Sequence, residues 1–306
     1  MTGKLLRSIS ATAAAVTSLL PVLASAQEVG QPIPGAIGLQ PSVTPIMDSV
    51  HAFHDGPLLW TSIIIATLVL VLLIIVMVRF NAKANPTPSK TSHNTLIEVI
   101  WTVAPVLVLV IIAIPSFAVL TDQLTIPDGE RKYLGSNIFS FGDVEVPAPA
   151  LTVKATGQQW YWDYEYVDEG KSFSSSMLKE ESADGIDRPT LKPDQPRLLA
   201  VDNELVVPVN TTVRVEVTAD PTGVIHAFAM PAFGIKVDAV PGKLNETWFN
   251  ARKEGIYYGQ CSELCGKDHA FMPIAIRVVS QAQYDTWMTA LQAGFVDDAN
   301  ATLPPL

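Results

Sequence analysis

Cysteine is nearly missing from this chain: 306 residues hold two, at positions 261 and 265. So few thiols allow at most one disulfide, which excludes a scaffold stapled by several. The signature C-x-x-C-H does not occur, which excludes a covalently attached c-type haem. Bases are also short, 20 Lys and Arg against 30 Asp and Glu, for a net charge of −10. The deficit is uneven. Residues 121–306 carry 26 acids and 15 bases, a net −11, whereas residues 1–120 carry 4 acids and 5 bases. An acidic C-terminal body repels nucleic acid and attracts basic partners in a salt-dependent way. No internal repeat is visible. Charge is missing altogether from two long apolar stretches, and those stretches organise the N-terminal part.

The first residues read as a secretory leader. Lys4 and Arg7 form a basic start, Ala11 to Leu23 a short apolar run, and Ala24-Ser25-Ala26 a small-residue cleavage site. Residues 1–26 are therefore expected to be removed, leaving a mature chain from Gln27. An uncleaved membrane helix is disfavoured, because the run is short and is broken by Pro21.

Pro57 to Val78 and Val99 to Thr121 contain no charged residue. Each is long enough to cross a hydrocarbon core of roughly 30 Å as a helix, the form that satisfies its own backbone there. Spans are expected at about 57–80 and 96–121, forming a hairpin over 57–121, with bends at Pro105 and Pro115. Trp60 and Trp101 near the ends suit the interface. The connecting loop carries Arg79, Lys83 and Lys90 and no acid. Residues 27–56 carry Glu28, Asp48 and Asp55 and no base. The positive-inside rule then puts the loop in the cytoplasm, and residues 27–56 and 122–306 outside.

Beyond about residue 150 the pattern turns to short β-rich runs between turn residues. They are Leu151–Ala155, Gln159–Tyr166, Glu204–Val209, Thr212–Thr218, Glu246–Phe249, Gly255–Gln260 and Ile274–Val279. Such density predicts an antiparallel sandwich or barrel over 122–294. Trp160, Trp162, Tyr164 and Tyr166 recur at every second position, so on one strand they share a face. Ser172 to Pro196 reads as a surface excursion, Ser280 to Leu291 as a short amphipathic helix, and residues 295–306 as a flexible tail.

Both cysteines fall in Cys261-Ser262-Glu263-Leu264-Cys265-Gly266-Lys267-Asp268-His269-Ala270-Phe271-Met272, a C-x-E-x-C-x3-H-x2-M pattern. His226 lies 35 positions before Cys261. Thiolates, imidazoles and a thioether are soft donors that favour copper over magnesium or calcium. One cysteine with two histidines and a methionine suits a mononuclear copper site, whereas two cysteines can bridge a copper pair. The plain alternative is a disulfide, the usual fate of two thiols in an oxidising compartment. Zinc is a weaker alternative, since methionine is foreign to its sites.

The CSELCGKDHAFMP, VIHAFAMPAFGIKVDAVPG and GQQWYWDYEY segments resemble subunit II of cytochrome c oxidases, and the similarity runs from the hairpin to the end of the chain. The resemblance implies a membrane-anchored all-β protein: a two-helix transmembrane hairpin followed by a cupredoxin-like Greek-key β-sandwich. It implies two copper ions bridged by Cys261 and Cys265, with His226, His269, Met272 and the backbone carbonyl of Glu263 completing the ligand set. The Glu263 side chain matches a ligand to a magnesium ion shared with subunit I. Trp160 matches the surface tryptophan through which cytochrome c delivers electrons. Glu165 and Asp202 match docking carboxylates, and Glu98 matches a glutamate at the mouth of a proton-uptake route. Two positions depart from the family pattern: Gln158 stands where histidine is common. Gly223 stands where an acid is common, with Asp220 displaced upstream.

The implied function is electron transfer from cytochrome c to a haem of subunit I, where oxygen is reduced to water and protons are pumped. Expected partners are cytochrome c, subunits I and III and membrane lipid. The expected location is the plasma membrane of a bacterium, with the N-terminus and the copper domain periplasmic. A metal-free tethered docking domain with a disulfide is the competing class. A quinol oxidase subunit of the same architecture would lack the copper ligands. Nitrous oxide reductase has a similar copper loop without this hairpin anchor.

Overall fold

The computed structural model describes residues 30–130, 132–133, 144–180, 190–192 and 195–304. The expected leader lies outside them. Thr44 opens the first helix, α1 (Pro45–Phe53): its side chain accepts the amide of Met47, Pro45 fills the first turn and Asp48 suits the positive helix end. A kinked turn over His54–Leu58 follows, where Gly56 leaves helical geometry (φ −90°, ψ −109°) just before Pro57. The chain then runs directly into α2 (Leu59–Arg79), so the first anchor helix is prolonged by a bent N-terminal arm. The second anchor helix, α3 (Thr95–Leu124), is capped by Asn94, whose side chain accepts the amide of Ile97, and continues through both Pro105 and Pro115. With 21 and 30 residues, these helices measure about 31 Å and 45 Å. Their apolar side chains are exposed along nearly the whole length, as helices solvated by lipid must be.

The remainder is a sandwich of two five-stranded sheets. A short ribbon, β1 (Lys132–Tyr133) with β2 (Val144–Glu145), precedes it. The first sheet comprises β3 (Leu151–Gln158), β4 (Tyr161–Tyr166), β5 (Lys171–Ser175), β7 (Thr212–Ala219) and β10 (Asn245–Asn250), in the order β10-β7-β3-β4-β5. The second comprises β6 (Leu205–Pro208), β8 (His226–Met230), β9 (Ile235–Ala239), β11 (Gly255–Cys261) and β12 (Pro273–Val279), in the order β6-β12-β11-β8-β9. Only the β3–β7 and β12–β6 pairs are parallel; the other ladders of both sheets are antiparallel. Alternate residues of β3, β4 and β7 in the first sheet and of β9 in the second are buried, and the two sheets meet in one core that includes Trp162, Trp248, Phe228 and Tyr257.

Two ties hold the anchor to the sandwich. At the end of α3, Thr247 Oγ1 donates to the carbonyl of Gln123 (2.9 Å) and Trp248 Nε1 to that of Asp122 (2.8 Å). At the start of α1, Thr44 Oγ1 donates to the carbonyl of Phe233 (2.7 Å), and Arg252 pairs with Asp48 (2.7 Å). Across the far end of the sandwich lies α4 (Gln281–Ala293), opened by a capping box between Ser280 and Gln283. Its Tyr284, Trp287, Met288 and Leu291 are buried.

Three readings of the sequence need correction. The stretch expected as a flexible tail forms α5 (Val296–Asn300), with Ala299 fully buried. Asn300 holds it there, accepting from Trp287 Nε1 (3.1 Å) and donating to Asn203 (2.9 Å). The surface excursion does not begin at Ser172, because Ser172–Ser175 pair with β4 as the edge strand β5. The aromatic strand begins at Tyr161, so Trp162, Tyr164 and Tyr166 share the buried face, while Trp160 lies in the preceding turn and is only half-buried.

Candidate metal centre

Two sheet-two strands and one loop build the site. Cys261 ends β11, where it pairs with Phe228 of β8, and this register brings His226 of the same strand beside it. The loop from Ser262 to Met272 then returns through a short helical turn at His269–Phe271 to start β12. Both cysteines are free and buried, their sulfurs 3.8 Å apart, far longer than a disulfide bond of about 2.05 Å. Cys261 Sγ lies 3.8 Å from His226 Nδ1, and Cys265 Sγ lies 3.4 Å from His269 Nδ1. The carbonyl oxygen of Glu263 is 3.3 Å from Cys261 Sγ, and Met272 Sδ is 3.6 Å from Cys265 Sγ. Each sulfur thus has one imidazole nitrogen and one weaker donor beside it. His226, Cys261 and Cys265, all three buried, place their ligand atoms within 4.8 Å of one another.

Burial and the proximity of His269 lower the His226 pKa below the ordinary imidazole range, which keeps a lone pair free to ligate. Burial, then the neighbouring Cys261, push the Cys265 thiol up to about 12. Without a cation the Cys265 thiol retains its proton; metal binding displaces it. Two thiols, two imidazoles, a thioether and a backbone carbonyl in mutual contact have the soft-donor composition of a copper site.

Two tryptophans brace the loop. Trp160 Nε1 donates to the carbonyl of Cys265 (3.0 Å), and Trp162 Nε1 to that of Met272 (3.3 Å). Gly266 permits the first contact: its φ is +122°, and a Cβ there would lie 2.9 Å from Cζ2 of Trp160. Lys267 Nζ sits 5.2 Å over the Trp160 ring. The sequence places Trp162 only on a shared aromatic face; that it steadies Met272 depends on a contact 110 positions away, which no local pattern discloses.

The remaining candidates are scattered. The Glu263 side chain is exposed on the loop. Glu165 lies on the outer face of β4, 3.7 Å from Lys154. Asp202 is largely buried, and its Oδ1 accepts the amides of Ser176 (2.7 Å) and Asn203 (2.8 Å), so it ties a loop whatever else it does. Gln158 donates to Asp163 (2.9 Å), giving that departure from the family pattern a local partner. Asp220 accepts from the Thr222 amide (2.8 Å) and hydroxyl (2.6 Å), which lowers its pKa and keeps it charged near Gly223. Glu98 is in the first turn of α3, where Oε1 accepts the amide of Asn94 (3.2 Å).

Comparison with known proteins agrees with this architecture. A family model described as cytochrome c oxidase subunit II, periplasmic domain, matches residues 151–279, and the transmembrane domain of the same subunit matches residues 32–119. The probable cytochrome c oxidase subunit 2 of Rickettsia bellii is 46% identical over 274 residues, 89% of this chain and 90% of that one. Cytochrome c oxidase subunit 2 of Cereibacter sphaeroides is 39% identical over 296 residues, 94% of this chain and 88% of that one. The crystal structure of the periplasmic domain of subunit II of cytochrome oxidase from Bradyrhizobium japonicum is 56% identical, with a TM-score of 0.42, and covers 48% of this chain and 97% of that chain. With relatives this similar over almost their whole length, and both the anchor and the outer domain matched, the chain belongs to the cytochrome c oxidase subunit II family.

Proposed function

We propose that this chain takes electrons from a cytochrome c at a two-copper centre and hands them to a haem of subunit I, where oxygen is reduced to water and protons are pumped. The observation that carries the reading is the paired arrangement of donors: two sulfurs 3.8 Å apart, each beside its own imidazole nitrogen. Cys261 and Cys265 would bridge the metals, His226 and His269 would each bind one, and Met272 and the Glu263 carbonyl would complete the set. When bound, the metal pair stores and releases a single electron. The protein keeps the ligands dry and braced, so little has to move as the charge changes.

Around this centre the remaining candidates take distinct roles. Trp160 lies between the solvent and the Cys265 carbonyl and carries electrons inward. The exposed Glu263 carboxylate reaches a magnesium ion at the boundary with subunit I. Glu165 and Asp202 belong to the surface that meets a basic cytochrome c. Glu98 stands at the mouth of a proton route on the cytoplasmic side. The absence of acids in the loop between α2 and α3 supports that orientation. In that orientation the sandwich would lie in the periplasm of a bacterium and the anchor in the plasma membrane beside subunit I, with subunit III as a further neighbour. The metal-free disulfide alternative is disfavoured by the separation of the free thiols.

Metal analysis and electron paramagnetic resonance of the purified complex test the proposal. We expect two coppers per copy of this chain in addition to any in subunit I, sharing one unpaired electron when oxidised. A metal-free outer domain with Cys261 and Cys265 joined would overturn it.

A further inference from the structure

Gly157 is buried in the middle of the first sheet. It pairs with Trp162 on one side and Ala219 on the other, and its carbonyl accepts the amide of Asp220 (3.0 Å). Its φ lies outside the left-handed region, and no turn is present. Backbone conformation therefore does not call for glycine, and glycine inside a strand is unfavourable. Space does call for it. A Cβ at this position would lie 2.8 Å from Cδ2, 3.0 Å from Cγ and 3.1 Å from Cβ of His226. The imidazole rests directly on the bare backbone of β3.

The other surroundings of that ring sharpen the point. A metal-bound histidine normally fixes its orientation by donating its second ring N–H to a neighbour. Here Nε2 of His226 is buried, and among the described residues nothing lies within hydrogen-bonding reach of it. Trp162 meets the ring edge-on, with centroids 6.1 Å apart. We propose that Gly157 is a positioning residue for the metal centre: the naked strand and Trp162 together set the rotation of the His226 imidazole and aim Nδ1 at the sulfur of Cys261. This rests on the reading of His226 as a copper ligand.

The test uses Gly157→Ala and, as a control on the same strand face, Ala155→Gly, both in the assembled oxidase. Gly157→Ala is expected to shift the near-infrared band and the copper hyperfine splitting, or to lower the copper content, while Ala155→Gly leaves all three unchanged. A copper-replete Gly157→Ala protein with unshifted spectra overturns the proposal. Copper missing from the unaltered chain would instead defeat the reading of the site. A second measurement needs no metal: thermal melting of the copper-free full-length chain. The loss of melting temperature caused by Gly157→Ala should vanish in a His226→Ala background, where the ring it meets is gone. An equal loss in both backgrounds shows that the added methyl acts elsewhere, and sinks the proposal.

Discussion

Trp160 has two faces with different tasks. Its N–H holds the carbonyl of Cys265, a proposed metal ligand, and its ring lies under Lys267 at the half-exposed rim. Trp160→Phe keeps an aromatic ring but removes the donor, so the loop should keep its sulfurs and histidines while the path to the surface loses its fixed geometry. Copper content and the resonance spectrum are expected to stay normal. Electron uptake from cytochrome c, followed by stopped flow, should slow roughly tenfold or more, the size of effect a misplaced group produces. Loss of copper in this variant would make Trp160 a structural brace instead. The Cys261–Met272 run of candidate ligands was legible as a cluster at this scale, because five chemically distinctive residues fall within twelve positions. His226 was not legible alone, and needed both the demand for a second imidazole and the family resemblance. Gly157 was invisible, since its reason is a ring that lies 69 positions ahead in the chain and across the sandwich.

At the scale of elements, the sheets are pinned together by one phenol. Tyr166 of β4 donates to the carbonyl of Val206 in β6 (2.6 Å), and the Val206 amide donates back to the same oxygen (3.1 Å). All of these groups are buried, and burial raises the tyrosine pKa well above its ordinary value. Tyr166→Phe leaves both backbone groups of Val206 without this partner, which should cost about 1–3 kcal/mol. The measurement is the denaturation midpoint of the copper-free chain, and no change would mean that the Val206 groups find other partners. The elements read well from sequence carry a strong local signal: long uncharged runs for α2 and α3, and alternation in strands such as β3 and β7. Those missed lack one. His226–Met230 is buried at every residue and has no alternation. Ile235–Ala239 alternates over only five residues between Gly234 and Val240-Pro241. Lys171–Ser175 looks polar because it lies at a sheet edge. Val296–Asn300 is a helix of five residues held by tertiary contacts, the burial of Ala299 and the bonds of Asn300 to Trp287 and Asn203.

For the molecule as a whole, the charge distribution sets how a partner arrives. Residues 121–306 carry a net −11, more than the whole chain's −10, while Lys267, the cation over the Trp160 ring, is 3.9 Å from Asp268. On the proposed reading, a basic cytochrome c would be drawn by the summed field of the outer domain rather than by a single ion pair, and individual surface pairs, such as Lys154 with Glu165, would contribute little. A field of this kind raises the encounter rate and weakens with salt. Between about 0.01 M and 0.1 M ionic strength the screening length shortens from roughly 30 Å to 10 Å, less than the reach across a domain of this size. The bimolecular rate of cytochrome c oxidation should fall about tenfold over that interval, while turnover at saturating cytochrome c changes little. Neutralising Glu165 alone should lower the rate much less than salt does, because it removes one charge of many. If Glu165→Gln instead abolished the salt dependence, steering would be local and this account of the acidic domain would be wrong.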